Sequence, residues 1–470
     1  MATTTPAATQ VAAPPSEGRV RILANPLLWM VALAYACNFM DRSIVATLAQ
    51  AIKLDLVLTD AQLGLLQGFA FVVLYSVAGV PIARLAERLN RVNIITVCLL
   101  VWSTMTMVCG LAGSFVQLLL FRVGVGVGEA GCNPCSHSMI ADAFAPKERS
   151  RALSVYMLGA TFGTMLGAMS AGVIADHLGW RMAFVIVGAP GIVLAIAMKL
   201  IARDPGRTQA ETTPAEVHAT RFSAVVKKLA TTPALVHMVL GFTLASFATG
   251  SIGAFTQPYF VRDFGLSYSR LGLTFGLLGG LTSAASLAIT GRLTDWATNR
   301  SLAWHGWLPL VGIAVSGPSS LMAYTAGDWR IAMVWVFLAG FFLYLFIIPS
   351  LSAFHKLLGA RMVATGMALI LMFQNFVGLG AGPLVTGTFI DAASQHLFSA
   401  AALGDFKALC PGGKAAAGAT IALAHVCHTT LTSATRTGLL LTVVVEAWAA
   451  VHFAIAAGYV RRELAGAAHG

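Results

Sequence analysis

The chain has 470 residues, 57% of them hydrophobic and only 10% charged, with a formal net charge of +11. A soluble domain carries about 25% charged residues, so a mean hydropathy of +0.78 over this length exceeds what one buried core absorbs and indicates a polytopic membrane protein. The basic residues are scattered over short polar segments, which fits topology-setting charge and argues against a nucleic-acid surface.

The first 25 residues are rich in Ala, Thr and Pro and are expected to form a disordered cytoplasmic tail. The apolar run that follows continues into Asp41 and Arg42, so a cleaved signal peptide is not expected. A membrane span needs about 20 mostly apolar residues. That ruler gives twelve spans: 26–52, 61–83, 93–113, 115–143, 150–175, 182–202, 232–261, 268–291, 303–326, 330–355, 362–389 and 437–460. The polar stretch 203–231 is read as a cytoplasmic linker between six-helix bundles at 26–202 and 232–462, with 463–470 a second tail. Lys and Arg crowd the segments on the side of the termini, so the positive-inside rule places both termini and the linker in the cytoplasm of a cell (inner) membrane.

The halves echo one another. "RLAERLNR" (84–91) follows the second span and "GRLTDWATNR" (291–300) the eighth, with Glu87 and Asp295 in equivalent places. Such duplication is a signature of transporters whose substrate site lies between the halves. No phosphate-binding Gly-x-x-x-x-Gly-Lys-Ser/Thr run is present, so no nucleotide cofactor is expected.

These motifs resemble the major facilitator superfamily. The 84–91 turn is similar to its loop between the second and third helices, with Ala83 and Asn90 in place of glycines and Glu87 in place of the aspartate. "FRVGVGVGEAG" (121–131), "ADAFAPKERSRAL" (141–153) and "GATFGTMLGAMSAG" resemble the family's fourth helix, following loop and fifth helix. "NFMDRSIVATL", "RVGVGVGEAGCNPCSHSMIADAF" and "GWRMAFVIVGAPG" resemble, more narrowly, the Spinster-type lipid transporters. The resemblance implies an all-α fold of two pseudo-symmetric bundles working by alternating access. It also implies a lysophospholipid or sphingosine-1-phosphate-like substrate, with proton coupling.

Inside the first bundle lie four ionisable residues: Asp41, Arg42, Arg122 and Glu129. Each costs about 2.5–3.5 kcal/mol at the centre of a span, so each is expected to face a cavity and a partner. Arg122 and Glu129 are seven apart, on one helix face and about 10 Å apart along the axis. In the implied fold the first and fourth helices line the central cavity, and Asp41-Arg42 falls between Arg122 and Glu129 in depth. Glu129, with Asp41 the alternative, is the expected proton carrier; Arg42 and Arg122 would meet an anionic headgroup, since a guanidinium fork suits phosphate. The competing reading is four charges that only neutralise one another and fix packing.

Arg84, Glu87, Arg88, Asp142, Arg149, Arg151, Arg292 and Asp295 are read as a cytoplasmic gate latching the outward-facing state, against plain topology signalling. Tyr35, Phe39, Phe373, Gln374 and Asn375 are candidates for lining an amphiphile pocket. Gly159, Gly163 and Gly167, and Gly124, Gly126 and Gly128, mark packing faces. "CNPCSH" (132–137) lies within a span without a second ligand cluster, so packing and a kink are expected and no metal site. Cys410 and Cys427 fall in a loop of about 45 residues on the non-cytoplasmic side, where a disulfide and two free thiols are both compatible with the sequence.

The reading is a monomeric transporter, not an enzyme, whose partners are a lysolipid or other amphiphilic anion, protons and membrane lipids. A small-anion or drug exporter of the same fold is the alternative. An intramembrane lipid-modifying enzyme using Cys132, Cys135 or His137 is the reading from another class.

Overall fold

The computed structural model describes residues 22–207, 222–359, 361–401 and 403–467. Residues 1–21, 208–221 and 468–470 of the expected tails and linker lie outside these. Among the described residues every regular element is a helix.

Twelve passes form two six-helix bundles. α1 is Pro26–Leu56, and α2 is broken at Gly68 into Asp60–Gln67 and Phe69–Ala86. α3 is Arg91–Cys109; α4 is Phe115–Glu129 continued by Cys132–Ala143. One unbroken run, Pro146–Ile201, turns at Gly179 (φ 81°) into α5 (146–178) and α6 (180–201). The second bundle holds α7 (Pro233–Phe264), α8 (Tyr268–Thr298), α9 (Trp304–Thr325) and α10 (Trp329–Leu343 with Ile347–Leu358). α11 runs from Val363–Phe373 through Gln374–Gly380 to Ala381–Ala400, and α12 is Ile421–Ala467.

Local chemistry sets these limits. Asn25 caps α1 through Leu27 N, and Thr59 and Gln62 close a reciprocal capping box on α2. Val57, at φ 53°, ends α1 in the left-handed region. α5 lies directly against α1: a Cβ on Gly163 would stand 2.1 Å from the Ala36 carbonyl oxygen, so only glycine permits this approach. That contact fixes α1 about one and a half turns from Asp41 and Arg42.

Three expectations change. α12 begins at Ile421 and α11 reaches Ala400, so the long loop is about 20 residues, with Cys410 bonded to Cys427. Polar threonines hid this extension, because each can return its hydroxyl to the helix carbonyls, as Thr429 does to His425 O. The expected linker contains a helix, Phe222–Thr231. The expected tails are partly built in: Ile22 is buried, and Glu463, on the last turns of α12, accepts a hydrogen bond from Ala234 N at the start of α7.

The face where the chain enters α1 and leaves α12 is called the terminal face below, the other the opposite face.

Candidate functional site

α1 and α4 bring the four charges of the first bundle together. Arg42 donates through Nε to Glu129 Oε2 at 2.9 Å, and its terminal nitrogen reaches the same oxygen at 2.9 Å. The carboxylate is fully buried, whereas the Arg42 side chain keeps 31% exposure, so the pair spans the boundary between protein and cavity. Asp41 and Arg122 are each 2% exposed. Asp41 feels Glu129, Thr106, Arg122 and Arg42, and Glu129 feels Arg42, Arg122 and Asn38. The two carboxyls therefore share two guanidiniums.

Aromatic rings hold Arg42 in place. Its guanidinium lies 5.1 Å from the Phe39 ring centroid and 5.2 Å from that of Tyr75. Tyr35 stacks on Tyr156 at 4.4 Å and meets Phe39 edge-on at 5.0 Å. The Tyr156 hydroxyl donates to Asn133 Oδ1 (2.6 Å), and Asn133 Nδ2 donates to the Tyr75 hydroxyl (3.0 Å). The "CNPCSH" segment thus contributes Asn133 to the site, while Cys132 and Cys135 are buried free thiols. Among the described residues no cluster of three or more His, Cys, Asp or Glu side chains could hold a metal.

Arg42 and Arg122 open into a cavity between the bundles, of about 240 Å³, walled by Gln67, Gly253 and Leu379 among others. A second lobe of about 450 Å³ continues past Phe39, Thr164, Gln257 and Tyr344. Both lobes mix polar and apolar lining, with Gln67 beside Leu379 in the first and Thr164 and Gln257 beside Phe39 and Phe275 in the second.

The remaining candidates scatter. Phe39 lines the cavity and Tyr35 backs it; Gln374 is buried, Asn375 lines a separate crevice between α2, α4 and α11, and Phe373 is 43% exposed, away from both. Successive residues of a helix lie about 100° apart, so Phe373, Gln374 and Asn375 point to different faces of α11, which the π-helical turn Gln374–Gly380 widens. Of the eight gate residues, Asp142 forms an ion pair, with Arg91, which also donates to Asp204 (2.6 Å), Ser138 (2.8 Å) and the Gly206 carbonyl (2.9 Å). Arg149 bonds the Phe144 carbonyl, and Arg84, Glu87, Arg88, Arg151, Arg292 and Asp295 are exposed and join no ion pair among the described residues. Burial pushes the Asp204 carboxyl up, but the hydrogen bonds and charge of Arg91 outweigh it and hold it below the usual aspartate value.

The opposite face holds a network that sequence reasoning missed. Asp60, 0% exposed, receives Lys53 Nζ at 2.5 Å and Arg262 from α7 at 2.6 Å. Arg262 also donates to Gln50 Oε1 and Thr435 Oγ1, both at 2.7 Å. Beside it Asp391, on α11, accepts from Asp60 N and Ala61 N at the start of α2, both at 2.9 Å. Asp176, on α5, does the same for Tyr268 N and Ser269 N at the start of α8. Each fifth helix caps the second helix of the other half.

The match to the family model described as the Major Facilitator Superfamily covers residues 31–383. The chain is 33% identical to an "MFS-type efflux pump" of Mycolicibacterium smegmatis, over 80% of this chain and 86% of that protein. It is 26% identical to the "Probable L-galactonate transporter" of Escherichia coli, over 81% and 85% of the two. Against human "Protein spinster homolog 1" the identity is 30%, over 53% of this chain and 47% of that protein. A solved bacterial homologue of the human lysosomal transporter Spinster, inward-facing and unoccupied, superposes with a TM-score of 0.85 at 29% identity, over 96% of this chain and 99% of that one.

Proposed function

The chain belongs to the major facilitator superfamily, as a Spinster-type transporter and not an enzyme, and from that premise we propose that it moves a lysolipid or similar amphiphilic anion, coupled to protons, by alternating access. The Arg42–Glu129 pair carries this reading: one member is sealed in protein and the other stands at the wall of the interbundle cavity.

The chemistry follows from that geometry. A phosphate entering the cavity competes with Glu129 for the guanidinium of Arg42. Glu129 is left in a desolvated place with less countercharge, and taking up a proton relieves it. Conversely, a proton on Glu129 frees Arg42 for the anion. Proton and anion therefore favour each other's binding, which is the requirement for coupling. Asp41, behind the pair, is the reserve acceptor, and Arg122 the second cation for the headgroup.

With the termini cytoplasmic in the cell membrane, the closed Asp60–Arg262 face is the outer one, and the state is inward-facing. The exposed charges of the terminal face then form an open gate that reassembles when the outer face parts. The functional unit is a monomer. The efflux-pump relative supports the alternative of a small organic anion or drug as cargo.

The test is uptake into proteoliposomes of a lysolipid panel, including sphingosine-1-phosphate, and of small organic anions, with and without a pH gradient. Lysolipid uptake that rises with the gradient, and loses this dependence in Glu129→Gln, is expected. Movement of small anions alone overturns the lysolipid reading; an unchanged pH profile in Glu129→Gln removes Glu129 from coupling.

A further inference from the structure

The second bundle holds an ionisable group that the mechanism above leaves unused. Glu446, midway along α12, is 0% exposed, and neither of its carboxyl oxygens has a hydrogen-bond partner. It faces α9 at Ser316 and Gly317. A Cβ on Gly317 would lie 3.6 Å from Glu446 Oε2, and the buried Ser316 hydroxyl is the side-chain group that interacts with the carboxyl.

The charged groups on every packed element are engaged elsewhere. On α12 itself, Arg436 lies ten residues towards the opposite face, about 15 Å away along the helix, and pairs with Asp263 of α7 at 3.1 Å. His452, six residues the other way, meets His237 of α7 at 2.9 Å. Arg262 of α7 is committed to Asp60, and Asp391 of α11 to the start of α2. The second half of α10 carries Lys356, 3.4 Å from His305 of α9. The titratable neighbour that feels Glu446 is the Tyr324 phenol of α9.

A carboxylate buried with no cation against it is strongly disfavoured, so the group is neutral or holds a cation. Two Glu446 oxygens and one hydroxyl fall short of the six or more oxygens that a hard metal ion such as calcium takes. A proton needs one oxygen. Further polar groups of α7 and α9 lie towards the opposite face. Thr256 Oγ1 lies 2.9 Å from the Tyr324 hydroxyl, and the Tyr259 hydroxyl donates to Tyr324 O at 3.2 Å. Tyr259 in turn interacts with Asp263 and Arg436, and the Arg436 side chain is 40% exposed at the opposite face.

We propose that Glu446 is a second proton-binding site, in the half that lacks Asp41 and Glu129. Its role in coupling rests on the transport reading given above; its occupancy by a proton does not. The site holds a proton in the present state, and the Ser316 hydroxyl is its neighbour.

Infrared difference spectroscopy of the full chain in lipid, without substrate, reads this occupancy. The carbonyl band of a protonated carboxylic acid is expected in the wild type, to shift on deuteration, and to be lost in Glu446→Gln. A folded Glu446→Gln protein with the same protonated-acid bands overturns the proposal. Ser316→Ala serves if Glu446→Gln fails to fold: the same band should shift in frequency, and an unchanged spectrum overturns the site. A band that disappears on adding sodium at constant pH assigns the site to that ion and also overturns it. In proteoliposomes, Glu446→Gln should lower the number of protons moved per substrate, and an unchanged ratio refutes the coupling role. If no lysolipid moves but the band behaves as stated, the cargo reading fails and the site stands.

Discussion

Replacing Arg262 by Ala should release the opposite face. Asp60 is 0% exposed and holds Lys53 at 2.5 Å and Arg262 at 2.6 Å, on α1 and α7 respectively. Removing one partner of a buried ion pair costs about 3–5 kcal/mol, because the remaining charge stays buried. Lys53 still compensates Asp60, so the lower end applies, about 3 kcal/mol. That penalty falls on the closed state alone, since water would solvate Asp60 and Gln50 once the face parts. At about 1.4 kcal/mol per factor of ten, the open-to-closed ratio should rise by about 100-fold. Spin labels at Leu111 and Ile421, which are 73% and 91% exposed on opposite halves, report the separation by pulsed dipolar spectroscopy. A longer-distance population should appear in Arg262→Ala and be smaller in Arg262→Lys, which keeps the charge but not the fork. An unchanged distance distribution in a folded Arg262→Ala protein would refute the assignment of this network as the lock.

Arg42→Lys should weaken uptake of a phosphate-bearing lysolipid more than tenfold in apparent affinity, because an ammonium cannot present the planar fork that the guanidinium, held by the rings of Phe39 and Tyr75, offers a phosphate; competition by inorganic phosphate checks this. Glu129→Gln should leave folding intact, as judged by gel filtration in detergent, while flattening the dependence of uptake on pH. Asp204→Asn should lower thermal stability at neutral pH by about 1–3 kcal/mol. The folded Asp204 carboxyl sits below its unfolded value, so its contribution is present above that value and is lost as pH falls through the folded one. The melting difference between wild type and variant should therefore shrink on acidification, and a constant difference sinks the argument. Gly163→Val should push α5 off α1 through the Ala36 carbonyl and cost both stability and uptake, read by melting and transport together.

The positions of the spans were legible because a stretch that must cross hydrocarbon declares itself by length and composition. Depth was legible too: the rise per residue placed Asp41 and Arg42 level with the Arg122–Glu129 stretch, and the structure joins Arg42 to Glu129. What lay beyond reach was pairing between halves. Asp60 and Arg262 are 202 residues apart in sequence, and each sits where a charge at a span end needs no explanation. Arg91 does not stand out among the basic residues of its loop, because its partners, Asp142 and Asp204, converge only through folding. Phe373 shares its helix with Gln374 but not its face, since successive residues of a helix lie about 100° apart.

The two networks are complementary in design. At the centre the cation of the pair, Arg42, faces the cavity, which on the proposed function lets ligand compete for it. At the opposite face both cations of Asp60 are buried with it, and Arg262 also donates to Gln50 and Thr435. A ligand shifts a two-state equilibrium only by its differential affinity for the two states, and moving the balance from 1:99 to 99:1 requires about 5.5 kcal/mol. A lock worth about 3 kcal/mol is within that range, so binding at Arg42 can overcome it without making either state a trap. The capping pairs Asp391–α2 and Asp176–α8 repeat across the two halves, so the same helix ends that seal the face are the ones that must separate together. On the proposed function, opening is then a rotation of whole bundles, and α1, the helix that carries both Arg42 and Lys53, links the central site to the lock.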